Sequence, residues 1–253
     1  PNGVDGPTMM NELKEQAERF GTKVEIDFIS KVDFSKEKGG IHKLYTQNGD
    51  EIRSKTVIIS TGASAKYLGL PSEKRLIGGG VSACAVCDGF FYKNQDVAIV
   101  GGGDTAIEEA TYLAKICSKV SMLVRKDHFR ASKAMQNRLA NFDNIEVLFN
   151  HEIEESVVEG IKIKNNLKSE ESVLKITGLF IAIGHTPNTD IFKGLVEMDD
   201  SGYIITDKTS TKTNIHGVFA AGDVQDKDYR QAVTAAGTGC MAALDAERYL
   251  QEV

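Results

Sequence analysis

A buried strand running straight into a glycine-rich turn and a helix is the feature that most narrows the folds open to this chain. Asp96-Val97-Ala98-Ile99-Val100 leads into Gly101-Gly102-Gly103-Asp104-Thr105-Ala106, and a helix is expected from there to about Cys117. The pattern is Gly-x-Gly-x-x-Ala in the strand-to-helix setting that dinucleotide binding requires. Gly101 allows the tight turn, Gly103 lets the backbone approach a pyrophosphate, and Ala106 permits close packing of helix on strand. The next strand, Lys119 to Val124, ends in Arg125-Lys126, with Arg130 close behind. An acid near that strand end would bind the ribose hydroxyls of NAD, whereas cations suit a 2'-phosphate. NADP is therefore the expected coenzyme; a solvated charge cluster at a helix start is the alternative.

Cys84 and Cys87 are separated by two residues and followed by Asp88. Such a pair can close a small disulfide ring or supply two thiolates to a metal. A structural zinc needs four ligands, and no second Cys-x-x-Cys or close Cys/His pair completes a set, so no metal is expected. Reducing the disulfide creates a thiolate that must take up a proton, which a neighbouring carboxyl group can give and take back. Two buried cysteines in a Gly-bounded loop remain the alternative. Cys117 and Cys240 fall in helical segments and read as small core hydrophobes.

A net charge of -6 makes a nucleic-acid surface unexpected, while 41% hydrophobic and 26% charged residues are those of a globular protein. No apolar run reaches the roughly eighteen residues of a membrane span, so no membrane partner is expected and the cytoplasm is the expected compartment. Apolar residues Met9, Met10, Leu13, Ala17 and Phe20 keep the spacing of one helical face and predict a helix, stopped at Gly21. Alternation at Val24, Ile26 and Phe28 opens a predicted antiparallel meander, continued around 31–34 and 41–46 and turned at Asn48-Gly49. The run Thr56 to Ala63 reads as a buried strand with a backbone approach point at Gly62. Short strands are expected over 145–149, 153–158, 161–164 and 173–176, and a buried one over 179–184 that Thr186-Pro187-Asn188 breaks. Val218 to Asp223 places an acid, behind Gly222, just beyond another strand, where a carboxylate can accept hydrogen bonds from a sugar-alcohol chain. A helix rich in small residues, Arg230 to Leu250, closes the sequence.

Taken together, Ala83-Cys84-Ala85-Val86-Cys87-Asp88-Gly89-Phe90-Phe91, the glycine turn, Arg125-Lys126-Asp127-His128-Phe129-Arg130, Ala182-Ile183-Gly184-His185-Thr186-Pro187-Asn188, Gly217 to Val224 and Tyr229-Arg230-Gln231-Ala232 resemble the low-molecular-weight, bacterial-type thioredoxin reductases. The likeness covers nearly the whole chain in order. It implies an α/β architecture of two Rossmann-like, three-layer domains of the pyridine nucleotide-disulfide oxidoreductase type, one inserted in the other. An FAD domain at 1–66 and 178–253 and an NADPH domain at 67–177, hinged to it and carrying the redox disulfide, would result. The implied route runs from NADPH to FAD, to Cys84-Cys87, and to the disulfide of thioredoxin, in a homodimer. By the same likeness Cys87 is the flavin-side sulfur, Cys84 attacks the partner disulfide and Asp88 handles the proton. Asp223 would hold the ribityl chain, with Arg230, Gln231 and Ala232 near the pyrimidine end of the flavin.

Two departures from the family pattern stand out. The family begins with its own Gly-x-Gly-x-x-Gly unit, which the chain opening at Pro1 does not contain, so a fragment lacking roughly the first βαβ unit is expected. Gly78-Gly79-Gly80 stands where the family often has a basic residue before the cysteines. The nearest rival reading is the flavoprotein subunit of an alkyl hydroperoxide reductase, against which Phe90-Phe91 and the lack of any trace of an added redox domain count. The other is a non-catalytic NADP-binding module.

Overall fold

The computed structural model describes residues 3–157 and 160–253. Pro1, at the expected domain start, and Val158, in an expected strand, lie outside the described residues. The chain divides into two compact units, 63–187 and 1–62 with 188–253.

Residues 63–187 are built on a parallel sheet of five strands, in spatial order Val81–Ser82, Gly178–Ile181, Asp96–Val100, Lys119–Val124 and Ile145–Phe149. Successive side chains of a strand face opposite ways. Val97, Ile99, Val120, Met122 and Val124 accordingly pack with Ala106, Ile107, Ala110 and Leu113 of helix Asp104–Ala114. Ala98 and Leu123 pack on the other face with Ile153, Ile161 and Ile163. The last three come from an antiparallel sheet of His151–Val157, Gly160–Asn165 and Glu171–Lys175. Helix, parallel sheet and antiparallel sheet form three layers, which is why the central strands, over 97–100 and 122–124, are near-continuous apolar runs rather than alternating.

Residues 1–62 and 188–253 repeat that logic on a smaller scale. Val57–Ile59 and Val218–Ala220 pair in parallel. Val218 and Ala220 face Val32, Phe192 and Val196, on the side of the meander Ile29–Asp33, His42–Thr46 and Glu51–Ser54. Phe219, between them, meets Ala242, Ala246 and Tyr249 of helix Ala232–Gln251. Small residues at 242 and 246 let that helix lie close to the strand pair.

Several expectations are corrected. Gly178–Ile181, placed at the return to the first domain, pairs with both Val81–Ser82 and Asp96–Val100 and belongs to unit 63–187. A continuously apolar strand announces burial on both faces but not which sheet supplies it. The predicted strand 56–63 ends at Ile59; Ala63–Ala65 is a separate strand, antiparallel to His185–Pro187, where a break was expected. Residues 24–28 make no ladder, and Ile26 is 98% exposed: alternation alone does not form a strand without a partner. Helix Gly6–Arg19 forms, capped by Asp5 through the Thr8 amide at 2.9 Å, but none of its residues is buried. Cys117 is buried, which pushes its thiol up to about 11, whereas Cys240 is exposed and no core residue.

Asp245, 6% exposed, ties helix Ala232–Gln251 to the chain before strand Val218–Ala220. Burial alone would raise its pKa, but the Thr211 amide (3.0 Å) and hydroxyl (2.8 Å) donate to Oδ2 and hold it below the ordinary value. A lowered pKa contributes stability above the unfolded-state value of about 3.9 and loses it as pH falls through the folded-state value. Denaturant unfolding of Asp245→Asn at pH 7 is expected to show a loss of about 1–3 kcal/mol. The gap to wild type should narrow below about pH 4.

Candidate disulfide centre and dinucleotide cavity

The disulfide loop follows directly from strand Val81–Ser82 at the sheet edge. The Ser82 hydroxyl accepts from the Cys84 amide at 3.1 Å, and one helical turn, Ala85–Asp88, follows. That turn brings the Cα atoms of Cys84 and Cys87 to 5.3 Å, and the two are joined as a disulfide. The Cys87 amide donates to Cys84 Sγ at 3.2 Å. Ala85 is fully buried in the helix-side core, and a Cβ on Gly89 would lie 3.0 Å from Leu113, so the loop is pressed onto helix Asp104–Ala114. Cys87 is exposed, while Cys84 and Asp88 are half-buried. Burial, and then the Asp88 charge, raise the pKa of the nearby Tyr92. Outside the ring, Val86, Phe90 (69%) and Phe91 (76%) present apolar side chains to solvent.

The glycine turn is sterically obligatory at one position. Gly101 has φ +151°, and a Cβ there would lie 2.4 Å from the Ala182 carbonyl oxygen and 2.6 Å from Ala106 Cβ. At Gly103 an added Cβ would meet nothing within 4 Å, so the space beside the helix start is open. Asp104 is engaged elsewhere: its Oδ1 accepts from the Ser132 amide (2.8 Å) and hydroxyl (3.0 Å). Thr105 is half-buried and Ala106 fully buried in the first turn. The Gly102 carbonyl accepts from the amides of Arg130 and Ala131, at 2.8 and 3.0 Å, which folds the cationic loop back over the glycines. Gly101, Gly102, Arg125, Lys126 and Arg130 thereby line one cavity of about 440 Å³; Gly103, Asp104 and Thr105 do not. Two further cavity residues, His128 and His151, were not among those singled out from the sequence. The first sits inside the cationic motif, so its position was available to a closer reading; the second comes from the antiparallel sheet, and no local signal announces it.

In the other unit, the Gly62 carbonyl accepts from the Asn188 amide at 2.9 Å. Gly222, at φ +74°, donates its amide to Thr238 of the long helix at 2.9 Å. Asp223 beside it is half-buried; burial first, then Asp226, raises its pKa, with Arg230 opposing. Asp226 anchors the following loop, accepting from the amides of Asp228 (3.0 Å), Tyr229 (2.9 Å) and Arg230 (3.3 Å). Arg230 takes φ +48°, and its guanidinium donates to the Lys227 carbonyl. Gln231 caps the helix that starts at Ala232, its amide donating to the Thr234 hydroxyl at 3.3 Å. Gly222, Asp223, Arg230, Gln231 and Ala232 thus gather at the start of one helix.

Residues 5–239 match the pyridine nucleotide-disulphide oxidoreductase family model. The chain is 50% identical to a thioredoxin reductase of Rickettsia conorii, over 98% of this chain and 82% of the relative, and 48% identical to one of Eremothecium gossypii, over 100% and 82%. Thioredoxin reductase from Giardia duodenalis superimposes with a TM-score of 0.91 at 40% identity, covering 99% of this chain and 84% of that one. The Streptococcus pyogenes thioredoxin reductase gives 0.91 at 35% identity, covering 100% and 83%. The chain belongs to the thioredoxin reductase family. Its fold is that of the pyridine nucleotide-disulphide oxidoreductases, and the family uses FAD and NADPH. The Gly101 turn and the three cations on one cavity fit a phosphorylated adenine nucleotide in chemical character. Asp223, polar and half-buried, with the Arg230–Ala232 helix start beside it, offers the mixture of carboxylate and backbone amides that a flavin's ribityl chain and pyrimidine edge would engage.

Gly101→Ala should force the turn away from the Ala182 carbonyl. We expect a stability loss of about 1–3 kcal/mol in denaturant unfolding and weakened nucleotide binding, read by calorimetric titration.

Proposed function

We propose that this chain is an NADPH-dependent thioredoxin-disulfide reductase, with unit 63–187 taking NADPH and unit 1–62 with 188–253 taking FAD. The observation that carries the reading is the Cys84–Cys87 disulfide, held at the edge of a sheet whose neighbouring strand ends line a cationic, glycine-walled cavity. FAD, which Asp223 and the Arg230–Ala232 helix start would hold, would supply the electron pair that reduces the disulfide, drawn from NADPH. The remaining steps belong to the protein. Opening the S–S bond leaves two sulfurs that share one proton, with Asp88 as donor and acceptor. The Cys84 thiolate attacks the thioredoxin disulfide, giving a mixed disulfide and one thioredoxin thiolate; Cys87 then displaces the second thioredoxin sulfur and re-forms the ring. Val86, Phe90 and Phe91 give a protein partner an apolar surface beside the reacting sulfur. Arg125, Lys126 and Arg130 select the 2'-phosphate. The proposal extends to a homodimer acting in the cytoplasm. Among the described residues no helix is long and apolar enough to cross a membrane.

NADPH-driven reduction of thioredoxin by the purified chain with added FAD tests the reading; no thioredoxin reduction would overturn it. Cys84→Ser and Cys87→Ser should each abolish turnover, and Cys87→Ser should accumulate a mixed disulfide with thioredoxin, visible on a non-reducing gel. Asp88→Asn should slow turnover by about 10²-fold. In nucleotide titrations NADPH should bind more tightly than NADH by about 1–3 kcal/mol, and Arg125→Ala should erase most of that difference while sparing NADH.

A further inference from the structure

His151 enters the dinucleotide cavity from a different sheet than the glycine turn and the cations. Strand Ile145–Phe149 ends the parallel sheet, a single residue follows, and His151 opens the antiparallel one. That residue, Asn150, adopts φ +59°, a conformation asparagine tolerates better than most residues. Its amide donates to the Lys126 carbonyl at 3.1 Å, and its carbonyl accepts from the Asn166 amide at 2.7 Å. The Asn166 side chain donates to the Arg125 carbonyl at 3.3 Å. The backbone carrying the two cations and the backbone carrying His151 are therefore fastened together, and both line the same cavity.

The hydrogen bonds of the imidazole restrict what it can do there. His151 Nδ1 lies 2.7 Å from the Phe149 carbonyl oxygen. A carbonyl cannot donate, so Nδ1 carries the hydrogen and, in the neutral ring, Nε2 is an acceptor. Its contact with the Asn165 side-chain amide is long, at 3.5 Å. Neutral His151 can offer nothing to a phosphate oxygen; the protonated ring offers both a donor at Nε2 and a positive charge. The other cavity histidine is differently placed, because His128 Nδ1 is held by the Asp127 carboxylate at 2.6 Å. The charged and titratable groups lining the cavity with His151 are Arg125, Lys126, His128 and Arg130 from the cationic loop and Glu152 from its own strand. Glu152 stands opposite Lys164, whose ammonium is paired with Glu154 at 2.9 Å.

We propose that His151 is a further specificity-determining residue of this cavity, taking a proton from solvent as the nucleotide binds and donating through Nε2 to its 2'-phosphate. The inference rests on the reading of the cavity as an NADPH site and deepens it by coupling coenzyme selection to proton uptake.

Calorimetric titration of the purified chain with 2',5'-ADP and with 5'-AMP, at pH 7 in two buffers of different ionisation enthalpy, tests it without any flavin or turnover. His151→Gln should weaken 2',5'-ADP by about 10-fold, leave 5'-AMP within about twofold, and lower the number of protons taken up on binding 2',5'-ADP. The phosphate's own titration is common to both proteins and cancels in the comparison. His151→Lys should restore affinity for 2',5'-ADP without restoring the proton uptake. An unchanged preference for 2',5'-ADP in His151→Gln, an equal weakening of both nucleotides, or unaltered proton uptake would overturn the proposal. If the wild-type chain itself does not distinguish the two nucleotides, the NADPH reading fails. If Arg125→Ala loses the distinction and His151→Gln keeps it, only the role of His151 fails. Thermal melting of each variant checks that it is folded.

Discussion

The contact on which unit 63–187 depends is the approach of Gly101 to the Ala182 carbonyl and the Ala106 methyl. It leaves no room for a side chain, so the central strand, the helix after it and the neighbouring strand interlock at the turn. A parallel sheet then imposes its own consequence. All five strands point one way, so the chain leaves each of them on the same edge. Cys84 follows Val81–Ser82, Gly101 follows Asp96–Val100, Arg125 follows Lys119–Val124, Asn150 follows Ile145–Phe149, and Ala182 follows Gly178–Ile181. A redox-active loop and a cationic cavity share that edge because strand direction puts them there, although their residues are far apart in sequence.

Buried carboxylates in this protein serve backbone amides more than cations. Glu73 is wholly buried and accepts from the amides of Leu68 (2.9 Å) and Gly69 (2.8 Å), which holds in place the segment that supplies Leu68 and Leu70 to the cationic cavity. Asp245 does the same for the chain at Thr211, and the half-buried Asp226 holds the loop before the long helix. Glu73 and Asp245 satisfy amides that would otherwise be left without partners away from water, where the penalty for an unmet hydrogen bond is large. The ion pairs, such as Lys119–Glu146 at 2.6 Å, are mostly between exposed side chains and contribute little. Loop geometry at both candidate sites therefore rests on carboxylate–amide anchors rather than on surface charge.

Much of this was legible in the sequence because it is written in local pattern. Strand, glycine turn and helix fall within about twenty consecutive residues, the disulfide within four, and the cationic loop within six. Steric and chemical demands at such short range act on neighbours in the chain, so residue type and spacing reveal them. The helix at 6–19 and the meander turn at Asn48-Gly49 were readable for the same reason.

Only the tertiary structure decided which sheet receives a strand. Gly178–Ile181 looks the same whether it closes one unit or fills the gap between Val81–Ser82 and Asp96–Val100, because an apolar run encodes burial and not the identity of its neighbour. Alternation at 24–28 likewise states a preference that a ladder of backbone hydrogen bonds must realise; the Phe28 carbonyl accepts from the Gln47 amide at 2.7 Å, but no ladder forms there. The convergence of His151 on Arg125, Lys126 and Arg130 depends on a one-residue turn at Asn150 and on hydrogen bonds from Asn150 and Asn166. By itself the sequence determined the chemistry available to each site. The long-range hydrogen bonds and sheet pairings, which relate residues distant in the chain, determined which groups meet.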